Sequence, residues 1–150
     1  MGSGSIDLNK VGIRLNPSLH GLAGIELDSE SIPTFDYIVE RLNNYPLAYI
    51  HFLQPITDVS QNEFAEKNIA ERYRRIYKGT LIINNGFTLE QANKIINDGK
   101  ADLVSFGKLF ISNPYLPARF SKNAPLAEAD KETFYTPGPK GYTDYPALMD

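Results

Sequence analysis

The chain has no cysteine, no tryptophan and only two histidines, His20 and His51, among its 150 residues. Without cysteine there is no disulfide and no thiolate metal site, and the redox compartment stays open. Two histidines do not furnish a histidine-rich metal centre. A basic excess is also missing: 15 Lys and Arg stand against 18 Asp and Glu, a net charge of −3. That balance gives no general attraction to nucleic acid or to an anionic membrane, so any bound anion must be held by local groups. No apolar run approaches the ~20 residues of a membrane-spanning helix. Nor does the opening Met1-Gly2-Ser3-Gly4-Ser5 read as a leader or a strand. It reads as a flexible linker or the scar of a deliberate cut, so residues 1–9 are set outside the fold. A cytoplasmic location is expected.

What is present suits one soluble domain with a real core: 42% of residues are apolar and 22% charged. Four short apolar runs, Lys10 to Leu15, Leu47 to Phe52, Thr80 to Asn84 and Asp102 to Phe106, are each followed by a turn and a helical pattern. Strands alternating with helices imply βα units and a parallel sheet over residues 10–120. In the first helix Phe35, Ile38, Val39 and Leu42 form one apolar face, with Pro33 in the first turn and Ser31 as the expected cap. Ser60 and Glu63 have capping-box spacing and predict the start of the second helix, whose buried stripe is Ala65, Ile69, Tyr73 and Ile76. Thr88 and Gln91 repeat that spacing before Leu89, Ala92, Ile95 and Ile96, with Gly99 just past the helix end. A shorter fourth helix is expected from Asn113-Pro114. Residues 121–150 are rich in Pro, Gly and Tyr. They read as a long ordered loop over the barrel followed by a terminus, the alternative being a partly disordered tail.

In parallel α/β folds ligands bind at the carboxyl ends of the strands. Alternation along the first strand puts Gly12 and Arg14 on one face and Val11, Ile13 and Leu15 on the other, so Arg14 is expected inside. A guanidinium there needs either a ligand with acceptor atoms or an ion pair with a neighbouring strand. Asn84-Asn85-Gly86 and Phe106-Gly107-Lys108 end the third and fourth strands. Their glycines permit close approach of backbone N–H groups to an anion, and Lys108 adds a charge. If these are the last two strands of a barrel, the pair forms the phosphate corner such barrels carry. His51 reads as a satisfied core histidine.

Taken in order, Val11-Gly12-Ile13-Arg14-Leu15-Asn16-Pro17, Ala48-Tyr49-Ile50-His51, Asn85-Gly86-Phe87-Thr88, Val104-Ser105-Phe106-Gly107-Lys108, Ile111-Ser112-Asn113-Pro114 and Gly141-Tyr142-Thr143-Asp144-Tyr145-Pro146 carry a resemblance. They resemble the C-terminal half of the old yellow enzyme family, FMN-dependent ene-reductases that use NAD(P)H. The resemblance implies strands 5 to 8 of a (β/α)₈ TIM barrel. By position, Arg14 resembles the arginine that meets the pyrimidine edge of FMN. Asn85, Gly86, Gly107 and Lys108 resemble its phosphate cradle, with lysine where the family usually has arginine. Phe134 resembles a residue beside the flavin's dimethylbenzene ring, and Tyr135 an aromatic lining the substrate pocket. The substrate-anchoring His/Asn or His/His pair and the proton-donating tyrosine belong to the family's first half and have no counterpart here, so no catalytic residue is assigned.

Four strands cut from a barrel leave two open edges, which invite pairing with another chain. The half-barrel is therefore expected to meet a complementary N-terminal half, to self-associate, or to flatten into an open doubly wound sheet. The expected function is the FMN-binding half of an NAD(P)H-dependent reductase of activated alkenes, inactive alone. The alternative is an isolated or engineered half-barrel, a folding or assembly module without activity.

Overall fold

The structure is a computed structural model that describes residues 6–148; Met1-Gly2-Ser3-Gly4-Ser5, most of the expected linker, lies outside the described residues. By their internal contacts the residues divide into two compact units, Met1–Ser105 and Phe106–Asp150.

The first unit contains all four strands: β1 (Gly12–Leu15), β2 (Tyr49–Leu53), β3 (Leu81–Asn84) and β4 (Leu103–Ser105). They pair in parallel in the order β1-β2-β3-β4. Helices α1 (Ser31–Leu42), α2 (Ile69–Ile76) and α3 (Leu89–Asn97) form the three crossovers. A doubly wound sheet reverses its strand order at a switch point. This order has no reversal; it is the sequential order of a barrel wall. Among the described residues β1 and β4 each have a single strand neighbour.

The core lies on the helix side of the sheet. Ile50, Phe52, Leu81 and Ile83 are fully buried there, with Ile13, Leu15 and Val104 packed against them. The helices answer with Val39, Ile69, Ala70 and Tyr73, and the Phe52 and Tyr73 rings stack at 4.5 Å. Alternation therefore has the predicted effect: apolar residues of β1 face the helices, while Gly12 and Arg14 face away. The other face remains open. Tyr49 is 37% and Leu103 52% exposed, and the Tyr49 ring lies against Gly12, where a side-chain carbon would come within 2.2 Å of it.

Several helix boundaries differ from expectation. Ser60 and Glu63 do not open a helix. α2 begins at Ile69, behind a loop in which Asp58 and Asn62 side chains accept from nearby backbone N–H groups. Such local bonds compete with helix. Ala65 thus falls outside α2, while Ile69, Tyr73 and Ile76 keep their places against the core. Ser31 does not cap α1; it is the first helical residue, and its hydroxyl bonds the Asp28 carboxylate at 2.8 Å. The Thr88–Gln91 capping box is present in both directions, and Gly99 follows α3 at φ +68°. Ile96 is exposed and outside the core that Ile95 joins.

The second unit holds α4 (Lys108–Ser112) and α5 (Leu116–Ser121). The expected start at Asn113-Pro114 is replaced by one at Leu116, with Pro117 in the first turn, where its missing N–H costs nothing. The fully buried Asn113 ties α4 to residue 127: its Nδ2 donates to the Leu109 and Ala127 carbonyls, and its Oδ1 accepts from Ala127 N. Arg119 donates to the carbonyls of Pro114, Pro125 and Pro146. In the tail, Tyr142 Oη accepts from Tyr135 N at 2.6 Å, Tyr145 Oη from Asp130 N at 2.8 Å, and Asp144 Oδ1 from Gly141 N at 2.8 Å. The Gly-Tyr-Thr-Asp-Tyr run thus clamps the loop that carries Phe134 and Tyr135.

Gly141 is the tightest point of this clamp. Its φ is +78°, and a Cβ there would sit 1.9 Å from Thr133 Oγ1. Replacing Gly141 by Ala is expected to cost ~2–4 kcal/mol, from a left-handed backbone plus an overpacked contact. Amide exchange in 128–146 that stays as slow as in the parent chain would refute this.

Candidate functional site

The site begins with a row of polar side chains on the open face of the sheet, one from each strand. Arg14 on β1 donates from Nη2 to Asn84 Oδ1 on β3 at 3.1 Å. Its Nη1 lies 3.3 Å from His51 Nδ1 and 3.4 Å from His51 Nε2 on β2. His51 Nε2 is 2.8 Å from Ser105 Oγ on β4, and Asn84 Nδ2 donates to the Ser105 carbonyl at 2.7 Å. Parallel register makes this possible: Arg14 pairs directly with His51, and Asn84 with Ser105.

The row has one permanent charge. Arg14 joins no salt bridge among the described residues, and both of its partners are neutral groups. Of the two sequence alternatives, the ion pair with a neighbouring strand is not formed. Two of the five guanidinium donors are engaged, which leaves the others for a ligand. His51 is half-buried, and desolvation first, then the Arg14 charge, hold its pKa below the ordinary 6.5. His51 is thus no core histidine; it faces away from the core and has partners on both sides.

The lowered pKa makes a prediction about stability. The folded chain binds fewer protons at His51 than the unfolded chain. The stabilisation is therefore complete above pH 6.5 and is lost as pH falls from there through the lower folded-state value. Urea midpoints are expected to fall between pH 7 and 5 and to fall less in His51→Gln. Equal slopes in both proteins would contradict this.

The β3 turn offers backbone donors. Asn85 has φ +90° and Gly86 φ +76°. Asn85 Nδ2 donates to the Pro55 carbonyl at 2.8 Å, so its side chain ties this turn to the loop after β2. A Cβ on Gly86 would meet nothing within 4 Å; its backbone conformation, rather than packing, calls for glycine. Both residues border an open cleft of about 670 Å³ on the helix side, with Gln54, Pro55 and Phe87. Arg14 does not line this cleft.

In the second unit, Gly107 precedes α4 at φ −96°, and a Cβ there would also meet nothing within 4 Å. Neither backbone strain nor protein packing requires glycine at this position, which leaves room for close approach of another group. Lys108 is exposed, and its side chain has no hydrogen-bond or ion-pair partner among the described residues. Phe134 is half-buried, and Tyr135 is 97% exposed at φ +62°.

Sequence reasoning missed His51, Asn84 and Ser105 as a set. Their signal was present: each is a polar residue on the same side of an otherwise apolar strand as Arg14. Recognising the set requires the register between strands.

Four parallel strands in sequential order, joined by helical crossovers, define half of a (β/α)₈ barrel wall. The family follows: residues 5–127 match the NADH:flavin oxidoreductase / NADH oxidase family, and the chain belongs to it. It is 38% identical over 147 residues to 12-oxophytodienoate reductase 1 of Oryza sativa subsp. japonica, a match covering 97% of this chain and 38% of that one. It is 38% identical over 141 residues to 12-oxophytodienoate reductase 2 of Arabidopsis thaliana, covering 93% and 37%. Among solved structures it resembles the old yellow enzyme from Trypanosoma cruzi, with TM-score 0.80 and 33% identity over 92% of this chain and 35% of that one. Morphinone reductase, solved in complex with tetrahydroNAD, gives TM-score 0.76 and 37% identity over 93% and 36%. The chain thus spans under two fifths of the length of these relatives. Among the described residues no helix is long and apolar enough to cross a membrane.

Proposed function

We propose that this chain is the phosphate-side half of an NAD(P)H-dependent FMN reductase of activated alkenes, and that it needs a complementary N-terminal half to act. The observation that carries the reading is Arg14, a cation without a counter-charge, held by two neutral partners near the carboxyl end of β1.

The residues present fit FMN. Arg14 has free donors for the acceptor atoms of a flavin's pyrimidine edge, and its charge favours the anionic reduced ring. The Asn85-Gly86 and Gly107-Lys108 turns are assigned to the phosphate. Gly86 N, Gly107 N and Lys108 N donate no hydrogen bond among the described residues, and open space takes the place of a Cβ at both glycines. Lys108 supplies the charge as a point rather than a bidentate fork. Phe134 is assigned to the dimethylbenzene ring and Tyr135 to the substrate pocket. FMN, when bound, supplies the hydride chemistry; this chain's residues bind and orient it.

The open face of the sheet favours the second reading, an assembly module without activity. Tyr49 and Leu103 are exposed there, beside two strand edges with no second neighbour among the described residues. Purification followed by flavin absorbance and light scattering separates the readings. The first expects retention of added FMN, at least once an N-terminal half is supplied, and a mass above that of a monomer. A clean monomer with fast-exchanging edge amides would refute the assembly requirement, and failure to retain FMN with the N-terminal half present would refute the flavin reading.

A further inference from the structure

The polar row on the open face contains one group that touches both ends of it. His51 sits between Arg14 and Ser105, and it is the row's one ring with two separate nitrogens to share. Arg14 Nη1 lies 3.3 Å from Nδ1 and 3.4 Å from Nε2, and arginine donates and never accepts, so the nitrogen that meets it must carry a lone pair; with Nε2 engaged by Ser105, that nitrogen is Nδ1. The Ser105 hydroxyl, 2.8 Å from Nε2, can take the proton from that side. The tautomer that satisfies both neighbours is protonated on Nε2 and accepts from Arg14 at Nδ1.

We propose that His51 is a positioning residue that aims the Arg14 guanidinium, with Ser105 selecting the tautomer that lets it do so. Asn84 is the second strut: its Nδ2 is anchored on the Ser105 carbonyl, which turns its Oδ1 toward Arg14. An exposed arginine otherwise samples many rotamers, and fixing it beforehand removes an ordering cost from ligand binding. Apart from Arg14 on β1, the strand neighbours of His51 among the described residues are uncharged: Ile82 and Asn84 from β3, Leu103 and Ser105 from β4. A protonated His51 would set two cations 3.3 Å apart, so the device works only with a neutral ring.

The link to flavin rests on the function proposed above; the positioning itself does not. Nitrogen-15 NMR of the ligand-free 150-residue chain at neutral pH tests the positioning. His51 is expected to show a protonated Nε2 and an unprotonated Nδ1. Ser105→Ala should mix the tautomers. Arg14 should show separate, slowly exchanging Nη signals that merge in His51→Leu and return in His51→Gln, which restores an acceptor. A proton on Nδ1, or Arg14 signals unchanged in His51→Leu, would overturn the proposal. FMN titration by fluorescence quenching, with the N-terminal half supplied, gives a second arm. His51→Leu is expected to weaken binding by about tenfold, as much as Arg14→Ala, with no further loss in the double variant. If Arg14→Ala weakens binding and His51→Leu does not, the positioning role is refuted. If neither changes FMN binding while the NMR coupling holds, the flavin reading fails and the positioning role stands.

Discussion

Loaded with FMN but without an N-terminal half, the chain is expected not to reduce cyclohexenone above the background of free dihydroflavin. The reduction requires a grip on the substrate carbonyl oxygen as negative charge develops there. In the polar row the donors are committed: the Asn84 amide to the Ser105 carbonyl, the His51 ring to its two neighbours, and Arg14, by the proposed function, to the cofactor. Tyr135 stands almost fully in solvent. Loss of a single oxyanion donor typically costs ~10²–10³ in rate, and by the proposed function the anchoring pair comes from the N-terminal half. Adding a folded N-terminal half should restore turnover if the two close into one barrel. The assay is NAD(P)H consumption with product detection, with and without that partner. Efficient, saturable reduction by the chain alone would refute the expectation and direct the search to His51 and Tyr135.

The second large effect concerns Lys108. Lys108→Ala is expected to weaken FMN binding by one to two decades, the worth of a charge-assisted contact of ~1.5–3 kcal/mol. Lys108→Arg should preserve or tighten it, since a guanidinium restores the fork that phosphate accepts. The site makes a clean probe because the Lys108 side chain has no partner to lose among the described residues; the melting temperature of both variants should match the parent's. Titration in a flavin-competent assembly, at fixed and stated ionic strength, reads the effect. Unchanged affinity in Lys108→Ala would place the phosphate elsewhere.

Sequence alone determined the sequential βα architecture, because period-2 and period-3.6 apolar patterns are local and survive without knowledge of neighbours. It placed Arg14 on the face away from the helices for the same reason: Ile13 and Leu15 had to be buried, and alternation did the rest. It also fixed the α3 start, since Thr88 and Gln91 satisfy each other within one turn. The α2 start was illegible because the spacing of Ser60 and Glu63 does not reveal that Asp58 and Asn62 would bind the backbone first. Only the tertiary structure decided the partners of Arg14. His51, Asn84 and Ser105 lie 37, 70 and 91 positions along the chain from it. Their meeting depends on the register of four parallel strands, a property of the packed sheet that no local pattern encodes. The tail was decided the same way: its tyrosines and Asp144 could be counted in the sequence, but which backbone N–H groups their oxygens accept from was settled by how the loop folds back on itself.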